Sequence, residues 1–180
     1  MRCEKSLFLQ KIPTMKRCFI LFGSNQGNRE AVFDEAYHRI INRCGQLIGI
    51  SSFYESEPWG FEDDTWFLNR LIVIETMLRP DELMDRLLGI EAELGRVHHP
   101  EAIGYSSRLI DLDILYYGSR VTITEHVTSP HPLLHLRRFA LMPLCEVAPK
   151  FKHPVLKLTQ TELLACCPDT SKVIKRSNNS

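Results

Sequence analysis

Residues 67–95, FLNRLIVIETMLRPDELMDRLLGIEAELG, decide the fold. From Phe67 to Met77 the stretch carries Leu71 and Val73 together with the β-branched Ile72, Ile74 and Thr76, a composition that suits a pleated, buried strand. Pro80 then stands where the first turn of a helix tolerates it, because its missing N–H has no partner to lose there. Leu83, Leu87, Ile90 and Leu94 recur on one helical face, and Gly95 ends the helix. Upstream, Cys18 to Gly23 (CFILFG) reads as a buried strand. Ser24 to Asn28 is turn chemistry, and Asn28 is a good N-cap. Val32, Ala36, Ile40 and Ile41 give Arg29–Cys44 a helical period, with Gly45 placed just past its end. Leu47–Tyr54 reads as a second strand and Glu55–Trp66 as a loop carrying Pro58 and Gly60. Downstream, residues 96–107 form a polar loop, Leu109–Tyr117 a fourth strand, and Gly118-Ser119 closes it. The tail from Ser129 on holds two or three short helical pieces. The order β-α-β-β-α-β predicts an α+β protein of ferredoxin-like arrangement with additional C-terminal helices.

The chain has 180 residues, 22 basic and 22 acidic, and a formal net charge of zero. A domain of this length buries about 70% of its unfolded surface and needs neither disulfides nor a structural metal to fold. Neutrality argues against a generic nucleic-acid or membrane-surface binder, since either would want a basic excess. The six cysteines, Cys3, Cys18, Cys44, Cys145, Cys166 and Cys167, form no CxxC pair and read as free thiols of a cytoplasmic protein. The N-terminal apolar stretch Leu7-Phe8-Leu9 is too short for a signal sequence, and no apolar run is long enough for a membrane span. One domain over 15–180 is expected. Residues 1–14 read as an extension outside it, since Met15 directly precedes the first strand.

The distribution of charge says more than its sum. No lysine occurs between Lys16 and Lys150, which removes a P-loop or Schiff-base lysine from the body of the domain. Phosphate handled there would fall to arginine and metal. Residues 55–113 hold 14 acidic and 5 basic residues, whereas 114–180 hold 4 acidic and 9 basic.

Several residues are candidates for chemistry. Asp111 and Asp113 alternate with Ile110, Leu112 and Ile114, so both carboxylates face one side of a strand, roughly 6.6 Å apart along the chain. Two such groups repel unless a cation lies between them. Arginine would serve, as would one or two Mg²⁺ ions with phosphate oxygens; two solvated acids on an open face is the plain alternative. Arg96 and Arg108 flank the 96–107 loop and are either surface cations or phosphate forks. Gly104 offers that loop a hinge. Phe67 alone reads as core and Asn69 as a turn or cap. His131 and His135 stand at zinc-like spacing, but no third ligand is near.

Taken together, these segments resemble one family, 6-hydroxymethyl-7,8-dihydropterin pyrophosphokinase. The resemblance runs over about residues 17–150. It rests on Leu21-Phe22-Gly23-Ser24-Asn25, Ser51 to Pro58, Phe67-Leu68-Asn69 and Ile90-Glu91 through Gly95-Arg96. It continues with Arg108 through Leu115, Thr128 to Pro132, and Arg137-Arg138-Phe139 through Pro143-Leu144. It implies transfer of pyrophosphate from the co-substrate ATP to the pterin hydroxymethyl oxygen, leaving AMP, in folate biosynthesis. It also implies two Mg²⁺ ions on Asp111 and Asp113, phosphate contacts from Arg96, Arg108 and His131, and nucleotide contacts from Arg137, Glu91, Ile114 and Thr128. The pterin would lie between Phe67 and Phe139, with Asn69 and the backbone of Ser56, Glu57 and Trp59 reading its polar edge. A monomer acting on small molecules is expected, without nucleic acid or membrane. The 97–107 loop is about two residues longer than the family pattern, with His98-His99 where basic residues are usual and Tyr105 in place of a capping aromatic. Two rivals fit parts of the sequence: another two-metal phosphohydrolase, and an RNA-binding module of the same fold, which would want a basic sheet face.

Overall fold

The computed structural model describes residues 14–60, 64–95 and 109–177. The elements run β1 (Lys16–Ser24), α1 (Arg29–Arg43), β2 (Gln46–Ile50), β3 (Tyr54–Ser56), β4 (Phe67–Thr76), α2 (Pro80–Glu93), β5 (Asp111–Tyr117), β6 (Thr122–Ile123), β7 (Thr128–Ser129), α3 (Arg138–Val147), α4 (Gln160–Ala165) and β8 (Val173–Lys175). A short 3₁₀ turn at Leu134–Leu136 leads into α3.

The main sheet is ordered β5-β1-β4-β3-β8, with β2 also paired to β4. All of its pairings are antiparallel. β1-α1-β2 and β4-α2-β5 are the two split βαβ units of the ferredoxin-like arrangement, as the element order predicts. β1 is buried on both faces. Cys18, Ile20 and Phe22 meet Phe33, Ala36 and Ile40 of α1 and Leu83, Leu87 and Ile90 of α2. Phe19 and Leu21 turn the other way, to Ala140, Leu141 and Leu144 of α3 and Leu163 of α4. That two-sided burial is why its sequence is a continuous apolar run rather than an alternation.

The helix ends follow the expected chemistry. Asn28 accepts from the Ala31 N–H at 3.2 Å and caps α1, and Gly95 closes α2 with φ +92°. At Gly45 a side-chain Cβ would stand 2.3 Å from the Glu75 carbonyl oxygen, so only glycine lets the chain pass from α1 to β2.

Two expectations need correction. The single strand over 47–54 is two strands: β2 meets the C-terminal half of β4 with a register shift between Leu47 and Gly49, and β3 meets its N-terminal end. Glu55 and Ser56, read as loop, belong to β3, which is flanked on its other side by β8. β8 and the β6–β7 hairpin carry no pattern that the sequence reading detected.

Candidate active site

A row of residues crosses the sheet on the face that α3 and α4 cover. Along β5, Leu112 and Ile114 enter the core beneath α1 and α2, which turns Asp111 and Asp113 to the opposite face. In register, Gly23 of β1 lies between Asp111 of β5 and Asn69 of β4. A Cβ at Gly23 would sit 3.8 Å from Asn69 Oδ1 and 3.9 Å from Asp111 Cβ, so glycine keeps the floor between amide and carboxylate open. Asn69 is no cap or turn. It is buried within β4, and its Nδ2 donates to Ser56 Oγ at 2.9 Å. Phe67, two residues before Asn69, shares its face and is half-buried rather than core.

The N-terminus of α3 closes the row. Arg137 is buried, and its guanidinium reaches four groups. It lies 3.9 Å from Asp113 Oδ2 and 3.4 Å from His131 Nε2. It also stands 5.0 Å from the Trp59 ring centroid and 5.8 Å from that of Phe139. The two rings are themselves 6.4 Å apart, tilted by 59°. A cation over aromatic faces and beside a carboxylate is held without mobile counterions. Burial, then Arg137, pushes the His131 imidazole down to about 4, against a smaller upward pull from Asp111. His131 is therefore neutral near pH 7, a hydrogen-bonding group rather than a charge.

The remaining candidates divide. Glu91 is buried, and its Oε1 accepts from the Leu112 N–H at 2.6 Å, so it supports the aspartate strand directly. The Ile114 side chain is packed in the core under α1 and α2, which leaves only its backbone for a nucleotide. Thr128 is exposed on β7. Glu57 Oε2 accepts from the Lys172 N–H at 2.7 Å, and the Glu57 N–H donates to Lys172 O at 3.1 Å. That side chain is turned to the C-terminal segment. Arg96, Arg108 and the loop between them, with His98, His99, Gly104 and Tyr105, lie outside the described residues. So do residues 1–13.

Asp111 and Asp113 offer hard carboxylate oxygens alone. Among the described residues no group of three His, Cys, Asp or Glu side chains could enclose a metal. An ion held here would complete its shell with water and phosphate oxygens, which fits Mg²⁺ and not a dedicated zinc cage. Burial also raises the Cys18 and Cys44 thiols, the latter to about 11, so neither is a nucleophile at neutral pH. Among the described residues no helix is long and apolar enough to cross a membrane.

Residues 19–149 match the sequence profile of 7,8-dihydro-6-hydroxymethylpterin-pyrophosphokinase (HPPK). The chain belongs to the HPPK family. It is 36% identical over 137 residues to the 2-amino-4-hydroxy-6-hydroxymethyldihydropteridine pyrophosphokinase of Porphyromonas gingivalis, covering 76% of this chain and 92% of that one. The Bacillus subtilis enzyme of the same name is 37% identical over 130 residues, 72% of this chain and 76% of its own. Folic acid synthesis protein FOL1 of Dictyostelium discoideum is 33% identical over 156 residues, which are 86% of this chain but 23% of that protein. Wild-type Plasmodium falciparum HPPK-DHPS shares the HPPK fold with a TM-score of 0.69 at 14% identity, over 90% of this chain and 45% of the other. The chain thus spans under half of that two-part protein.

One set of contacts around this candidate site had no signal in the sequence. Asp169 Oδ2 accepts from the Arg138 N–H at 2.8 Å across 31 residues. The segment from 169 to 175 has neither a helical period nor a long alternation to announce where it docks.

Proposed function

We propose that this chain transfers the β,γ-pyrophosphoryl group of ATP to the hydroxymethyl oxygen of 6-hydroxymethyl-7,8-dihydropterin. The products are AMP and the pterin diphosphate, a step of folate biosynthesis. The observation that carries the reading is the row Ser56–Asn69–Gly23–Asp111. It sets an oriented amide and a carboxylate on either side of an open glycine floor, with aromatic residues close by.

A flat, polar heterocycle suits this arrangement. Phe67 and Phe139 supply faces, while Asn69 and the backbone of Ser56, Glu57 and Trp59 supply fixed donors and acceptors. The site then holds the hydroxymethyl group toward Asp111 and Asp113. Those carboxylates would hold two Mg²⁺ ions, which when bound neutralise triphosphate charge and orient it for in-line displacement. Arg137, fixed by Trp59, Phe139 and Asp113, contributes permanent charge on the nucleotide side. Arg96 and Arg108 are assigned further phosphate contacts on the strength of the family resemblance. His131, neutral at pH 7, takes a hydrogen-bonding role beside the phosphates. The α3 layer and the two rings exclude water from the pterin side. In-line attack by an alcohol on phosphorus is chiefly positioning and charge neutralisation, so no general base is assigned. In this reading the enzyme is a cytoplasmic monomer, residues 15–180 forming its one domain.

The test incubates the protein with ATP, Mg²⁺ and hydroxymethyl-dihydropterin and separates the adenine nucleotides. AMP formed only when pterin is present is the expected result. ADP, or no turnover by folded protein, overturns it. Release of inorganic phosphate without pterin would favour a phosphohydrolase.

A further inference from the structure

The two walls of the proposed pterin site come from distant parts of the chain. Residues 56–59 run from the last residue of β3 into the loop after it, and Arg137, Arg138 and Phe139 stand at the start of α3. The segment 169–176 joins them. α3 lacks a side-chain cap from its own N-cap residue, Arg137. Asp169 supplies it instead: its Oδ2 accepts from the N–H of Arg138, the first residue of the helix, at 2.8 Å. The other oxygen of that carboxylate is held by Ser171, through N–H at 2.9 Å and Oγ at 2.5 Å. One residue further, Lys172 exchanges two hydrogen bonds with Glu57. Val173–Lys175 then pairs with all three residues of β3, and the Arg176 N–H donates to Phe53 O at 2.8 Å. A carboxylate at a helix N-terminus meets both its orphan N–H groups and the positive end of its dipole.

From this geometry we infer that Asp169 is a positioning residue for pterin binding: it fixes the start of α3, and hence Phe139 and Arg137, against the wall formed by Ser56, Glu57 and Trp59. The inference rests on the pyrophosphokinase reading and deepens it. Asp169 touches no substrate. It acts through the Arg138 N–H, one residue from each of the two side chains it sets, and its own position is set by the turn that also delivers Lys172 to Glu57. The site is thereby completed by a segment beyond residue 149, the end of the family match.

The experiment compares wild type with Asp169→Ala, Asp169→Asn and Glu162→Ala in AMP formation. Pterin binding is also followed by fluorescence with Mg²⁺ and α,β-methylene-ATP present. Glu162 completes the capping box of α4, so its loss removes a comparable helix cap that does not touch the pocket walls. Asp169→Ala should raise the KM and Kd for pterin about five- to tenfold, the scale of a lost cap, and should raise the KM for ATP by a smaller factor of about two- to threefold through the displaced Arg137. Asp169→Asn keeps one carbonyl acceptor and should fall between. Glu162→Ala should lower the melting temperature and leave the pterin constants unchanged. If Asp169→Ala does not fold, Asp169→Asn decides alone, with at least a twofold rise in pterin Kd required. Pterin constants at the wild-type value in the Asp169 variants, or an equal rise in Glu162→Ala, overturn the inference while wild-type turnover keeps the functional reading. Wild-type protein that neither binds pterin nor forms AMP overturns both.

Discussion

Glu91 Oε1 accepts a 2.6 Å hydrogen bond from the main-chain N–H of Leu112, the residue between the two site aspartates. β5 is an edge of the sheet, and this N–H finds its partner on α2 instead of a neighbouring strand. An edge strand with free N–H groups is loosely held and invites pairing. Here a buried carboxylate fixes it at the position that sets the spacing of Asp111 and Asp113.

Glu91→Ala leaves that donor buried without its acceptor, and unfolding in urea should show a loss of about 1–3 kcal/mol. Glu91→Gln retains a carbonyl oxygen and should recover most of that loss. AMP formation should follow the same order, wild type above Gln above Ala. An alanine variant with wild-type stability would show that the bond contributes nothing.

Asp111→Asn and Asp113→Asn should act on activity and leave the fold intact. Both side chains are half-exposed, so little core packing depends on them. Each removes one of the two charges proposed to hold Mg²⁺, and AMP formation should drop by about 10³-fold or more, the scale of several kcal/mol of charge stabilisation. In magnesium-free buffer Asp111→Asn should melt close to wild type, while Asp113→Asn, which takes a carboxylate from beside the buried Arg137, should melt somewhat lower and still unfold cooperatively. Activity at the wild-type level in both variants would remove the metal assignment.

The sequence makes some of this legible. Asp111 and Asp113 share a face because a strand alternates with period two, and Leu112 and Ile114 show which face is core. α1 and α2 announce themselves by spacing, by Asn28 and Pro80 at their starts, and by the glycines after them. Other parts could not be read. β3 and β8 are three residues each, too short to display a period. Glu91 lies among helical acids that look like a solvated face, and only the packing of α2 on β5 reveals that it is buried. Taken alone, Asn69 and Phe67 read as ordinary turn and core residues, and only the family resemblance singles them out. Their role depends on what faces them from Ser56 and Gly23, a relation between strands that no local window contains.

Arg137→Lys separates charge from shape. Lysine keeps the positive charge but lacks the planar fork that lies over Trp59 and Phe139 while reaching Asp113 and His131. Steady-state kinetics should show kcat/KM for ATP reduced about tenfold in the lysine variant, with a greater loss in Arg137→Ala. A fully active lysine variant would mean that charge alone suffices at this position.

His131 gives the acid side of stability a defined window. Its folded pKa is depressed to about 4 by burial and by Arg137, whereas an unfolded histidine titrates near about 6.5. Between those values the unfolded chain binds the proton and the folded protein does not, so stability falls as pH is lowered through that interval. Above about 6.5 both states are neutral here and this contribution is fully present; below about 4 both are protonated and the loss is complete. The displacement corresponds to a loss on the order of 3 kcal/mol. His153, buried and lowered in the same direction, adds to the slope. Urea unfolding of wild type and His131→Asn from pH 4 to 7, without magnesium, measures the effect. The variant has no imidazole at this position to protonate, so its curve should be flatter across the window even though its stability at pH 7 is lower. Parallel curves would show that the imidazole titrates normally and that the site does not hold it neutral.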